Sequence, residues 1–286
     1  MMIERAAGTH SAHRGKMPRI AVISHKFDKF DKRSYLLAGI LKEAERAGLV
    51  ADVTRGPRHF VDADLAILHV DATVIDPEYT ALARRYRRTI NLSIASIGKS
   101  GISGAALRRG NDWAGPVIVK TELNGRGAPE FYHNQVAALR GKPAPHPEVT
   151  GLRDYVVFDR AADVPDAVWQ DRSLAVEKFL PERDPHGFAL RTWVFMGKRE
   201  TCSRCVSTEP IVKGAGIISR ELVAVPDELR QIRARLGFDY GKFDFVIHDG
   251  GPVLFDANMT PTVPENLSEE LQNSAKELAR GLLELL

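Results

Sequence analysis

The sequence has only two cysteines, Cys202 and Cys205, spaced as a single CxxC. A closed zinc site takes about four ligands, and no second CxxC or HxxxH is present to complete one. A thioredoxin-like CxxC opens a helix, whereas this pair follows an apolar, strand-like run at 190–196, so it reads as two ordinary reduced thiols. Reduced thiols fit a cytoplasmic location. No apolar run approaches the length of a membrane span, which argues against a membrane protein. The residues up to Lys16 carry Gly, Ser, His and Arg but no apolar stretch of the signal-peptide kind, so 1–17 are expected to form a disordered leader, with Met17 a natural start. The turn after the first strand is Ser24-His25-Lys26-Phe27-Asp28 and holds no GxGxxG, which argues against a dinucleotide-dependent oxidoreductase. There is no internal repeat.

Charge of one sign is also scarce. Lys and Arg total 40 against 37 Asp and Glu, a net charge of +3, which suits an anionic ligand but is too weak to imply nucleic acid. Arg84, Arg85, Arg87 and Arg88 flank Tyr86; the cluster reads first as a solvated helix face and second as a patch for RNA or an acidic partner. What is abundant is ordinary globular material: 286 residues, 44% hydrophobic, suffice for one large or two medium domains with a buried core.

Alternating strand and helix signals fill the first third. Arg19 to Ser24 and Ala63 to Val70 read as buried parallel strands, with weaker strands at Val50 to Val53 and Thr89 to Leu92. Tyr35 to Ala47 has helical spacing and stops at Gly48, and Asp76-Pro77 opens a helix expected to run to Arg88. These elements predict a small open α/β domain over 18–95. Beyond residue 110 strands come in pairs: Pro116 to Thr121, Leu174 to Leu180, Ala189 to Met196, and two arms flanking His248-Asp249-Gly250-Gly251 as a hairpin. The stretch from Phe131 to Arg153, rich in Pro, His and Gly, is expected to be a surface insertion, and Leu267 to Leu286 a closing helix.

The chemistry concentrates on that hairpin. Asp256 and Asn258 are two apart on one strand and point to one face; Asp244 on the partner strand meets them across the pair. Three converging oxygen ligands suit Mg²⁺, which takes carboxylates together with phosphate oxygens and water. Lys120 ends an apolar strand and is followed by Asn124-Gly-Arg-Gly127, a point charge and a glycine turn suited to phosphate. In Val176-Glu-Lys-Phe-Leu180 charged residues interrupt an apolar run, as in a hinge that meets a base edge.

In this order, strand lysine, glycine turn, Glu-Lys-Phe-Leu and the D…DxN hairpin resemble the ATP-grasp superfamily over roughly residues 90–265. The resemblance implies an α/β (α+β) chain, with a small N-terminal domain followed by an ATP-grasp domain of two α+β subdomains over 96–286. It implies ATP and Mg²⁺ as cofactors. Lys99 and Lys120 would contact phosphates, Glu177 and Lys178 would line the adenine pocket, the backbone of Phe179 and Leu180 would meet the adenine edge, and Glu182 or Asp184 the ribose. Asp244, Asp256 and Asn258 would hold one or two Mg²⁺, although the superfamily usually has Glu where Asp256 stands. Lys242 would lie near the γ-phosphate, Arg191 would meet a substrate carboxyl or acyl phosphate, and Lys213 in Lys213-Gly-Ala-Gly would close over the phosphates. The implied reaction is ligation, in which ATP activates a small-molecule or peptide carboxylate as an acyl phosphate for an amine or other nucleophile. Phosphorylation of a hydroxyl on the same site is the alternative. No membrane or nucleic-acid partner is expected, and a homodimer stays open.

Overall fold

The structure, a computed structural model, describes residues 17–32, 34–264 and 269–286; the expected leader lies outside them apart from Met17. The first unit comprises β1 (Arg19–Ser24), α1 (Leu36–Arg46), β2 (Val50–Arg55), β3 (Leu65–His69), α2 (Pro77–Ala83) and β4 (Thr89–Ile90). Its four strands are parallel in the order β2-β1-β3-β4. β1 and β3 are apolar and almost wholly buried, as the central strands of a sheet covered on both faces must be. α1 buries Leu36, Leu37, Ile40, Leu41 and Ala44, one helical stripe. Asp76 caps α2, its side chain accepting from the Glu78 N–H at 2.9 Å.

The expected extension of α2 to Arg88 is not found. The helix stops at Ala83 because Tyr86 turns inward: its ring is buried and its hydroxyl accepts from the Val61 N–H at 3.3 Å. The arginine cluster therefore lies on turns rather than on a helix face, and Arg85 stacks on the exposed Phe60 ring, 4.2 Å from its centroid.

The middle unit holds α3 (Lys99–Ile102), β5 (Val117–Thr121), α4 (Ala128–Leu139), β6 (Val156–Phe158), α5 (Asp166–Gln170) and β7 (Leu174–Lys178). Its antiparallel sheet runs β6-β5-β7 over a core of Val117, Val119, Val164 and Val176. Here the expectation of an insertion over 131–153 is corrected. Residues to Leu139 continue α4, started by Pro129 in its first turn, and the helix buries Glu130, His133, Val136 and Ala137; only the stretch after it is loop.

The last unit is a six-stranded antiparallel sheet of β8 (Glu182–Asp184), β9 (Gly187–Met196), β10 (Arg199–Ser207), β11 (Ile217–Leu222), β12 (Tyr240–His248) and β13 (Gly251–Asn258), with α6 (Asp227–Leu236) and α7 (Glu269–Leu283). The apolar run 190–196 forms β9, and Cys202 and Cys205 follow it within the next strand, β10, both as buried free thiols. The β12–β13 turn places Asp249 and Gly250 at φ +49° and +82°, the left-handed pair a two-residue hairpin needs.

The parallel sheet and the large sheet share their cores. One joins Ala21, Ile23 and Leu68 to Trp193, Phe195, Phe243 and Phe245. The other joins Ile20, Leu37 and Ile40 to Met196, Tyr240, Leu278 and Leu282, so α7 closes the chain against α1. The three-stranded sheet keeps a separate core. It faces the large sheet across a cleft, and the chemistry-bearing residues gather there. Among the described residues no helix is long and apolar enough to cross a membrane.

Candidate active site

The hairpin register carries the first part of the site. Asp244 stands opposite Asp256 and Lys242 opposite Asn258, so all four side chains share one face while Phe243 and Ala257 enter the core behind. Thr192 on β9 lies opposite Asp244 and donates to its Oδ1 at 3.0 Å; Lys242 Nζ holds Oδ2 at 2.8 Å. Lys99 reaches the same hairpin from α3. The residue is 1% exposed, and its ammonium pairs with Asp256 Oδ1 at 3.1 Å. Burial pulls the Lys99 pKa down, but Asp256, with Tyr155 and Glu177, outweighs it and holds the ammonium above its ordinary value. The Asn258 carboxamide oxygen accepts from the Thr260 N–H at 2.8 Å and from its hydroxyl at 3.2 Å.

The opposite wall comes from the three-stranded sheet. Lys120 and Ile118 alternate onto the cleft face of β5, and Glu177, across from Ile118, donates nothing and accepts from Lys120 Nζ at 2.6 Å. Glu177 is fully buried, and burial raises its pKa against the pull of Lys120. Beyond β7 the chain leaves the sheet. The Phe179 N–H still bonds to Pro116 O at 2.9 Å, but neither the Phe179 carbonyl nor the Leu180 N–H makes a backbone hydrogen bond to another described residue. Both lie at the lip of the cleft. The glycine turn forms as expected, with Gly125, Arg126 and Gly127 at φ +52°, +64° and +83°.

Between these walls lies a cavity of about 330 Å³. Lys99, Lys120, Lys178, Phe179, Leu180, Lys213, Asp244 and Asp256 line it together, from six separate stretches of chain. Apolar surface from both sheets faces inward: Ile118 on one side, Leu190, Val246 and Phe255 on the other. Lys99, Lys120, Arg126, Lys178 and Lys213 supply five cationic groups against the two carboxylates of Asp244 and Asp256, a surplus suited to a polyanion. A second cavity, of about 460 Å³, adjoins it. The two share Leu190, Val212, Lys213 and Asp244, and the second adds Thr192, Ser203, Arg220, Lys242 and Glu270.

Six residues singled out in the sequence do not line this first cavity: Glu177, expected at the adenine pocket, is buried beneath Lys120, Lys242 lines only the second cavity, and four others stand to one side. Arg191 forms a two-pronged pair with Glu182, at 3.0 and 2.9 Å. Arg204 Nε and the Ile247 N–H complete the set around that carboxylate, and Arg204 also grips Asp184 at 2.8 Å. These contacts hold the Glu182 carboxyl below its usual range despite partial burial. Glu182, Asp184, Arg191 and Asn258 thus flank the first cavity without lining it. Nothing in the sequence pointed to Tyr155, which lines the cleft. Its ring lies 5.8 Å from Lys120 Nζ and 5.9 Å from Lys213 Nζ, and burial pushes its hydroxyl pKa up. Arg126 was visible only as one letter of the glycine turn.

No family model matches the sequence, and no curated protein matches it. Solved structures do. A D-alanine–D-alanine ligase from Bacillus anthracis complexed with ATP superposes with a TM-score of 0.54 at 14% identity, covering 94% of this chain and 97% of that one. D-cycloserine synthetase gives 0.53 at 14% identity, over 94% and 100%. A RimK domain ATP-grasp protein from Sphaerobacter thermophilus gives 0.51 at 13% identity, over 93% and 99%. The likeness spans the parallel sheet and both walls of the cleft, and by it this chain has the ATP-grasp fold.

Proposed function

We propose that the chain is an ATP- and Mg²⁺-dependent ligase that activates a carboxylate as an acyl phosphate for attack by an amine-type nucleophile. The observation that carries this reading is the cleft itself, an apolar slot between two sheets that is also lined by five cations and two carboxylates. Adenine fits the apolar part, with the Phe179 carbonyl and Leu180 N–H free to read its edge. Glu182 or Asp184 would reach the ribose once their arginine contacts loosen. Lys99, Lys120 and Lys213 would take the phosphates. The fold comparison supports nucleotide-dependent ligation as the general class, since two of the similar structures are named as a ligase and a synthetase.

The donor set fits a hard cation. Asp244 and Asp256 face each other across the hairpin, are partly open to the cleft, and present only oxygen. With Asn258 they would hold one or two Mg²⁺, which when bound neutralises phosphate charge. The remaining work falls to the chain's own residues. A carboxylate seated in the second cavity would face the γ-phosphate across Asp244 and Lys213. Its oxygen attacks phosphorus, the bond to ADP breaks, and the amine then expels phosphate from the acyl carbon. Lys242 would neutralise the incoming acid, and Arg191, freed from Glu182, the acyl phosphate. Positioning and charge neutralisation account for most of such a rate. The 18–95 and 96–286 division belongs to this proposal, and Leu36 of the first unit lines the acceptor cavity.

The test is hydroxylamine trapping with ATP, Mg²⁺ and a pool of carboxylates. Ligation gives a hydroxamate with ADP and phosphate in equal amounts. A stable phosphorylated alcohol with no free phosphate selects the kinase reading instead. Asp244→Asn and Asp256→Asn are each expected to abolish ADP formation while far-UV circular dichroism stays unchanged. ADP production at the parent rate in either variant would remove the hairpin from the mechanism.

A further inference from the structure

Three histidines meet away from the cleft. His25 follows β1, His133 lies on α4, and His146 sits in the loop after α4. One ring nitrogen from each falls within 4.8 Å of the other two. His25 and His133 are 6% and 0% exposed, and His146 is half-buried. We propose that His25, His133 and His146 bind one divalent transition-metal ion of the zinc class, stapling the end of β1 to α4.

Imidazole is the usual ligand for such ions, and three of them leave a fourth position for water or another donor. At a Zn–N distance of about 2.0–2.1 Å, tetrahedral nitrogens lie about 3.3 Å apart. The His25 and His133 rings already stack, 3.7 Å between centroids at 26°, and His146 stands 5.9 Å from His133 and 6.3 Å from His25.

The backbone around two of these histidines is held in place. Asn134, next to His133, accepts from the His146 N–H at 3.0 Å and donates to the His146 carbonyl at 2.6 Å. One residue therefore sets the approach of two ligands, as outer-shell groups do in metal sites. The His146 Nε2 is buried with no hydrogen-bond partner among the described residues. Lys26 and Arg140 lie over Phe27 nearby and oppose a cation. The site is separate from the hairpin carboxylates, and it stands whether or not the ligase reading does.

The test uses the full, tag-free chain stripped with chelator, then titrated with Zn²⁺ and, separately, with Co²⁺. One equivalent of zinc per chain is expected, with a rise of several degrees in Tm and visible d–d absorption from the cobalt form. His146→Gln should lose the equivalent and the Tm rise, while Asp256→Asn keeps both. A cobalt form without d–d bands overturns the proposal, as does equal zinc binding by parent and His146→Gln. Either result would mean that the three rings pack only as aromatics beside Phe27 and Tyr79. Sulfur-to-cobalt charge-transfer absorption would place the ion at the cysteines and overturn it too.

Discussion

At the residue scale two of the cleft's lysines already have acidic partners. Lys120 is tied to Glu177 and Lys99 to Asp256, so an incoming phosphate meets cations whose positions are set beforehand. Lys120→Ala should lower turnover by about 10²-fold, the scale for losing one preorganised electrostatic group. Lys178, whose ammonium lies 4.9 Å over Trp113 at the apolar end, should instead weaken nucleotide binding when changed to Ala. Calorimetry with an unreactive ATP analogue beside steady-state rates separates the two; unchanged binding and rate in both variants would move the nucleotide site elsewhere. Glu182 makes a stability prediction. Its folded pKa is depressed below the ordinary 4.5 by Arg191, the Ile247 N–H and Arg204, which outweigh partial burial. The carboxylate therefore stabilises the fold above about pH 4.5, and that contribution fades as pH falls through the lower folded value. Glu182→Gln should cost about 2 kcal/mol at neutral pH, the loss of charge-assisted hydrogen bonds, and flatten the acid limb. Urea melts between pH 3 and 7 give both readings, and parallel pH profiles would refute the assignment.

Elements were legible where one short stretch decides the geometry. Alternation around Asp244 and Asp256, and the Asp249-Gly250 turn between them, set the hairpin face with no help from the rest of the chain. α4 and α6 were missed for the opposite reason. α4 hides two of its buried positions behind Glu130 and His133, and α6 buries only Leu229 along a highly charged sequence. Such helices are stabilised by the surface they dock on, which no local pattern states. α7 shows the same dependence on a single atom contact. A Cβ at Gly281 would stand 2.1 Å from the Met196 carbonyl oxygen on β9. Alanine is worth about 1 kcal/mol over glycine in a free helix. Here overpacking against backbone, about 1–3 kcal/mol, wins, so Gly281→Ala should lower stability. A chemical melt that shows the variant more stable would mean α7 can shift without loss.

At the scale of the whole molecule the sequence revealed the parts of the cleft but not its pairings. Lys120 and Asp256 are 136 positions apart, and their shared cavity follows from packing the three-stranded sheet opposite the six-stranded one. The ion pairs of Arg204, the place of Tyr155 and the second cavity are likewise products of long-range packing. This architecture predicts how a nucleotide should tighten the chain. The 210–213 stretch and Gly125 reach into the cavity from opposite walls, and Lys213 itself is exposed. An unreactive ATP analogue with Mg²⁺ should therefore slow amide exchange in 210–216 and in 124–127 together, because one ligand bridges both walls. Exchange in β1 and β3, already buried on both faces, should not change. Lys178→Ala, the variant expected to weaken nucleotide binding, should reduce the protection at both segments at once. Protection of only one wall, or protection that survives the lysine substitution, would mean the nucleotide does not span the cleft between the two sheets.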